Sequence, residues 1–116
     1  MKYILLIHHD EAPDEERKPL LEESIQLAHQ LHEKGQYLDA APLHPISSTT
    51  CVKVRDGKRI VIDGPFAETR EQIGGYFLVN AESKEEAIEI AGRIPGGRIG
   101  TVEVRPVREI EGLPEK

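Results

Sequence analysis

The side chains most able to do chemistry are gathered in one stretch, Asp63-Gly64-Pro65-Phe66-Ala67-Glu68-Thr69-Arg70-Glu71-Gln72-Ile73-Gly74-Gly75-Tyr76-Phe77. Asp63 and Glu68 are candidates for an acid/base pair, because two carboxylates in different surroundings can hold different protonation states. A structural use competes with this: Asp63 accepting backbone N–H groups in its own turn, and Glu68 doing the same or pairing with Arg70 or Arg105. Gly64 permits positive φ and Pro65 fixes its own, so Asp-Gly-Pro reads as a tight turn. Phe66, directly after it, is suited to plug a pocket and aim the loop. Gly74-Gly75 marks a place where another backbone, or a ligand, comes too near for a Cβ.

Histidines supply the next candidates. His8 closes the first strand and His44 lies between two prolines; either is a candidate proton carrier, imidazole being the side chain best suited to that work near neutrality. His8 and His9 fall on opposite strand faces and cannot readily share a metal. His29 and His32 are three apart on a helix and could, but His29 falls outside the apolar stripe, so solvated histidines are expected. No Cys/His/Asp spacing matches a standard metal site, and no cofactor is indicated. Cys51 alternates with Lys53 and Arg55, cations able to activate a thiol, yet no oriented base is evident; a half-exposed structural cysteine is expected. Ser24 reads as a small residue that allows close packing, with no nucleophile elbow or phosphate-binding glycine loop elsewhere.

The elements that must position these groups follow from periodicity. Tyr3 to His9 is a strand that is apolar front and back, Tyr3, Leu5 and Ile7 against Ile4 and Leu6. Such a strand needs two covering layers. An acidic loop then leads into a helix that runs to about Lys34 and stops at Gly35, with Pro19 best placed in its first turn. Its apolar stripe is wide: Leu20, Leu21, Ile25, Leu27, Ala28 and Leu31. Tyr37 to Ala41 is a short strand. A hairpin follows, with Val52 and Val54 on one face, Ile60 and Ile62 sharing a face of the return strand, and Asp56-Gly57 as its turn. Gly75 to Ala81 is again apolar on both faces. Ser83-Lys84-Glu85-Glu86 is a capping box for a helix through Ile88, Ala91 and Ile94, stopped by Pro95-Gly96-Gly97. In Thr101 to Val107, Val102 and Val104 face one way, and Thr101, Glu103 and Arg105 the other. Residues 108–116 form an arm.

The fold class is therefore α+β: two βαβ-like halves separated by an inserted hairpin, with the helices on one sheet face. At 116 residues the chain suits one domain, spanning 1–107 before the arm. A net charge of −6, with cations interleaved among acids, argues against nucleic acid as a partner. The first apolar run is too short to span a bilayer and no signal-peptide cleavage site follows it, so a cytoplasmic location with no membrane association is expected. A single cysteine cannot form an internal disulfide, in keeping with a reducing compartment.

The Asp63-Gly64-Pro65-Phe66 run and its continuation through Phe77 resemble the signature of the DGPF-domain branch of the YCII-related proteins. Tyr37-Leu38-Asp39-Ala40-Ala41-Pro42-Leu43, Val54-Arg55-Asp56-Gly57, Ala91-Gly92-Arg93-Ile94-Pro95 and Gly100-Thr101-Val102-Glu103-Val104-Arg105-Pro106-Val107 agree with it. The resemblance implies a ferredoxin-like fold that pairs into a dimeric α+β barrel with a cleft at the subunit interface. It implies no established activity. Related proteins without the DGPF run are proposed to use a His on the first helix and an Asp near the end of the second; here Ser24 stands at the first place and Gly92-Arg93-Ile94 at the second.

The expectation that results is a small-molecule enzyme, built as a homodimer, whose interface cleft uses carboxylate and imidazole chemistry. Asp63, Glu68, His8 and His44 are its acid/base candidates, Phe66 and Tyr76 line the cleft, and Arg105 clamps a small organic, anionic ligand. The alternative is a non-catalytic ligand-binding or regulatory module, because some members of the branch resemble companions of extracytoplasmic-function sigma factors.

Overall fold

The computed structural model of the chain describes residues 1–10, 14–65 and 71–115. Phe66 and Glu68, two of the site candidates, lie outside the described residues. The elements in order are β1 (Lys2–His9), α1 (Asp14–Glu33), β2 (Tyr37–Pro42), β3 (Thr50–Arg55), β4 (Lys58–Asp63), β5 (Gln72–Asn80), α2 (Lys84–Gly92) and β6 (Gly100–Pro106). Short 3₁₀ turns occupy Ile46–Ser48 and Pro95–Arg98.

Four strands make one sheet in the order β2-β5-β1-β6, antiparallel at every junction, while β3 and β4 form a separate two-stranded ribbon. The protein is thus α+β, with a strand order compatible with a ferredoxin-like plan. Both helices cover one sheet face. There Leu27 and Leu31 of α1 and Ala87, Ile90 and Ala91 of α2 bury against Tyr3, Leu5, Phe77 and Val79. Leu5, Leu31 and Val79 have no exposed surface. The other sheet face carries Ile4, Leu6 and Leu78, half-buried and with no helix over them.

Local signals explain most boundaries. Gly35 at φ 71° ends α1, and the Gly35 and Gln36 amides return to His32 and Leu31 carbonyls at 3.0 and 2.8 Å; only a residue free of Cβ strain adopts that φ cheaply. Ser83 caps α2 by accepting from the Glu86 amide at 3.2 Å. Asp56 and Gly57, both at positive φ, make the hairpin turn.

Three boundaries differ from the sequence expectation. α1 begins at Asp14, so Pro19 sits inside the helix rather than in its first turn. A proline there forfeits one ladder bond, and the exposed residues around it leave the freed carbonyl within reach of water. β5 begins at Gln72 rather than Gly75, so Gly74 joins Gly75 in the strand as the extra residue where the register against β1 shifts. α2 ends at Gly92; Ile94 is buried but reaches the core from beyond the helix, and Ile88 is exposed.

The ribbon projects from the body. β3 and β4 pack on each other and barely touch the four-stranded sheet, and the radius of gyration is 15.9 Å where a compact chain of this length has about 13 Å. Its register places Val52, Val54 and Val61 on one face and Ile60 and Ile62 on the other. All five are exposed.

Candidate functional site

The apolar stripe of α1 is wider than the core can use. Leu27 and Leu31 are sealed, but Leu21 and Ile25, turned farther round the same helix, are 43% and 51% exposed. At 100° per residue Arg17, Lys18, Leu21, Ile25, Ala28 and His32 form the flank next to the sealed row. Opposite that flank the sheet offers little side chain: Ala40 and Ala41 on β2, Gly74 and Gly75 on β5, and Gly96 in the turn after α2. Short residues on one wall and a wide stripe on the other leave a groove of about 730 Å³.

The glycines of its floor are required by their neighbours. A Cβ on Gly75 would stand 2.9 Å from the Ala41 carbonyl oxygen, and one on Gly96 2.5 Å from Cγ2 of Ile7. A Cβ on Gly74 would run into the His9 ring, which lies over it. The close approach read into Gly74-Gly75 is therefore made by β2 and by an imidazole.

His9 is the groove's best-oriented polar group. By strand alternation it follows Tyr3, Leu5 and Ile7 onto the helix side. Its Nδ1 lies 2.7 Å from the Asp10 carbonyl. A carbonyl oxygen only accepts, so Nδ1 carries the proton and a neutral ring keeps its lone pair on Nε2. His32 borders the groove some way along α1 and meets Tyr37 edge to face, centroids 6.2 Å apart. Ser24 also borders it, with its hydroxyl donating back to the Leu20 carbonyl at 2.9 Å. Among the described residues no group of three His, Cys, Asp or Glu side chains is placed to hold a metal ion.

Among the described residues, the candidates named from the sequence do not gather in the groove; three of them share the uncovered sheet face. His8 faces the uncovered side of the sheet, with Nε2 3.3 Å from Oε1 of Glu103. Arg105 points to that same side and is exposed. Tyr76 is placed there by alternation and also borders the groove; its hydroxyl donates to Oδ2 of Asp39 at 2.6 Å. That bond to an anion, helped by partial desolvation, raises the phenol above its ordinary pKa. His44 is exposed beside a small recess of about 10 Å³, room for one water at most. Asp63 ends β4, exposed, and borders neither hollow. Cys51 is half-buried, its thiol donating to the Gly64 carbonyl at 3.3 Å, a structural role. His9, Arg17 and Lys18 went unsingled as site residues, although period-two counting along β1 and the helical wheel of α1 place them on the groove side.

The chain matches the YCII-related domain over residues 1–111. It belongs to the YCII-related family. Among its relatives, an uncharacterised protein of Rhizobium meliloti (strain 1021) is 31% identical over 114 residues, covering 92% of each chain. The YCII-related match spans every element from β1 to β6. No helix among the described residues of this YCII-related chain is long and apolar enough to cross a membrane.

Proposed function

We propose that this YCII-related protein binds a small organic molecule in the groove beside α1, with His9 as the group placed to exchange a proton with it. The observation that carries the reading is the coincidence of a largely apolar hollow of about 730 Å³ with one imidazole whose tautomer is set by a backbone carbonyl. Concave, mostly apolar sites with a few fixed polar groups are where small ligands are held. A metabolite screen by thermal shift, followed by a crystal structure of any hit, tests it. Ligand density along α1 in contact with His9 is expected; density confined to the uncovered sheet face would overturn it.

The protein is also proposed to act as a homodimer in the cytoplasm, and the Asp63-Gly64-Pro65 turn supports its place in the DGPF branch. Ile4, Leu6 and Leu78 share a sheet face without a helix, and five apolar ribbon residues from Val52 to Ile62 are exposed; both surfaces suit a second copy. His8 and Arg105 on that face would then stand at the subunit boundary with Asp63, the setting in which their acid/base and anion-clamp roles are retained. Light scattering should report two chains, and Val52→Asp with Val61→Asp should yield one; a wild-type monomer at micromolar concentration would refute the pairing.

A further inference from the structure

The groove is long for its volume, and one acceptor in it is held open. Along its α1 wall His32 lies 15 residues on from Arg17, about 22 Å along the helix axis. Spread evenly over that length, a hollow of about 730 Å³ is a passage only about 6 Å across. We propose that the groove selects an elongated molecule, an apolar chain with a hydrogen-bond donor at one end. The inference rests on the groove being the ligand site, and adds the shape and the head group of the ligand.

The walls choose the body. Leu21, Ile25 and Ala28 line α1 between the two ends, and the short residues of β2 and β5 stand opposite them. Leu21 and Ile25 are about half exposed, so a chain lying along them takes its own surface and theirs out of water together. Each added methylene that stays within the passage then tightens binding about fourfold. A compact body with the same number of carbons fills one part of the passage and leaves the rest wet.

His9 chooses the head. Its Nδ1–H is held by the Asp10 carbonyl at 2.7 Å, so in the neutral ring Nε2 is an acceptor. The ring lies over Gly74 on the groove floor. Nε2 makes no hydrogen bond, and no side-chain nitrogen or oxygen among the described residues is both buried and unpartnered, so this acceptor is open to solvent. Ser24 and Tyr76 already donate to Leu20 and Asp39. A hydroxyl on the ligand satisfies Nε2, whereas an ether oxygen or a carboxylate turns lone pairs toward a lone pair. His9 and Arg17 both border the smaller recess as well as the groove, so the head belongs at that end and the chain runs along Leu21 and Ile25 toward His32.

Calorimetry on the whole chain tests shape and head separately, and a crystal structure with 1-octanol fixes the site. 1-Octanol is compared with its isomer 1-methoxyheptane, which has no donor, with cyclooctanol, which gathers the same carbons in a ring, and with 1-hexanol. It should bind about tenfold tighter than the ether and than the ring alcohol, and about fifteenfold tighter than 1-hexanol. His9→Phe should abolish the preference for alcohol over ether and keep the preference for 1-octanol over cyclooctanol, with the melting temperature reporting that the variant is folded. Ether and alcohol binding equally would overturn the head group, and cyclooctanol binding as tightly as 1-octanol would overturn the shape; either result sinks the proposal and leaves the groove as the ligand site. No binding by any of the four also sinks it, and the metabolite screen then decides the groove by itself. Octanol density away from α1 would sink both. Loss of alcohol and ether binding together in His9→Phe would show that His9 shapes the groove rather than accepts from the ligand, and would overturn the proposal as well.

Discussion

α1 meets the sheet along two sides, and the two meetings end differently. Its sealed row brings Leu27 and Leu31 down on Tyr3, Leu5, Phe77 and Val79, all of them buried. The flank beside that row brings equally apolar residues, Leu21 and Ile25, opposite Gly74, Gly75, Ala40 and Ala41, and a hollow remains. The helix is the same on both sides; the partner changes. β5 runs from glycines at one end to Phe77 and Val79 at the other. The groove therefore arises here by withholding side chains from the sheet, not by carving them from the helix.

The largest effect that comparison predicts is a contrast between two leucines a few turns apart. Leu31→Ala deletes a side chain with no exposed surface and should cost about 3 kcal/mol in chemical denaturation, lost transfer energy plus a residual cavity. Leu21→Ala, on the open flank and 43% exposed, should cost less than about 1 kcal/mol. Equal costs would mean that the flank of α1 is as tightly packed as the sealed row.

Next come the floor glycines. Gly96→Ala puts a Cβ 2.5 Å from Cγ2 of Ile7, so β1 or the turn must yield, at about 1–3 kcal/mol by the measure of other overpacked sites. Thermal melts should show the loss. A neutral Gly96→Ala would mean the turn can step back, and the groove would then have a movable floor.

How far these contrasts could be read beforehand differs by residue. The stop at Gly35, the cap at Ser83, the Asp56-Gly57 turn and the faces of Val102 and Arg105 are local matters, decided by φ, one hydrogen bond or a period of two, and such signals survive in a sequence. The wide stripe of α1 was visible too. Its division into a sealed row and an open flank was not, because that depends on which β5 residues lie beneath it, a pairing made across some fifty residues of chain. The sequence likewise drew attention to Asp63 through turn chemistry, whereas the groove is built from residues whose importance lies in being small. His9 could have been placed on the groove side by counting from Tyr3; nothing local distinguished it from His8 beside it.

Ala28 separates stability from binding. It borders the groove without being sealed in the core, so Ala28→Leu extends a side chain into open space. Stability should change by less than about 1 kcal/mol, while affinity for any groove ligand should fall at least tenfold, read by calorimetry on the same sample. A fall in stability with affinity unchanged would place the ligand elsewhere.

The smallest expected effect concerns what ties α1 to the turn after α2. Arg98, in the turn after α2, holds Glu23 through both guanidinium nitrogens, one at 3.2 Å from Oε1. The hydrogen bond from Arg98, with charge attraction added and partial desolvation opposing, holds the Glu23 carboxyl below its ordinary value of 4.5. A carboxyl lowered on folding stabilises the fold above its unfolded pKa, and that contribution fades as pH falls through the folded value. Both side chains are largely exposed, so solvent screening keeps the effect small. Glu23→Gln should therefore be slightly less stable than wild type at neutral pH in low salt. The difference should narrow with added salt and vanish in acid below the folded pKa, where the wild-type carboxyl is protonated as well. Urea titrations at the two pH values check this. A difference that persists in acid would assign Glu23 a packing role on α1, and the sealed row would then reach farther round the helix than Leu27 and Leu31.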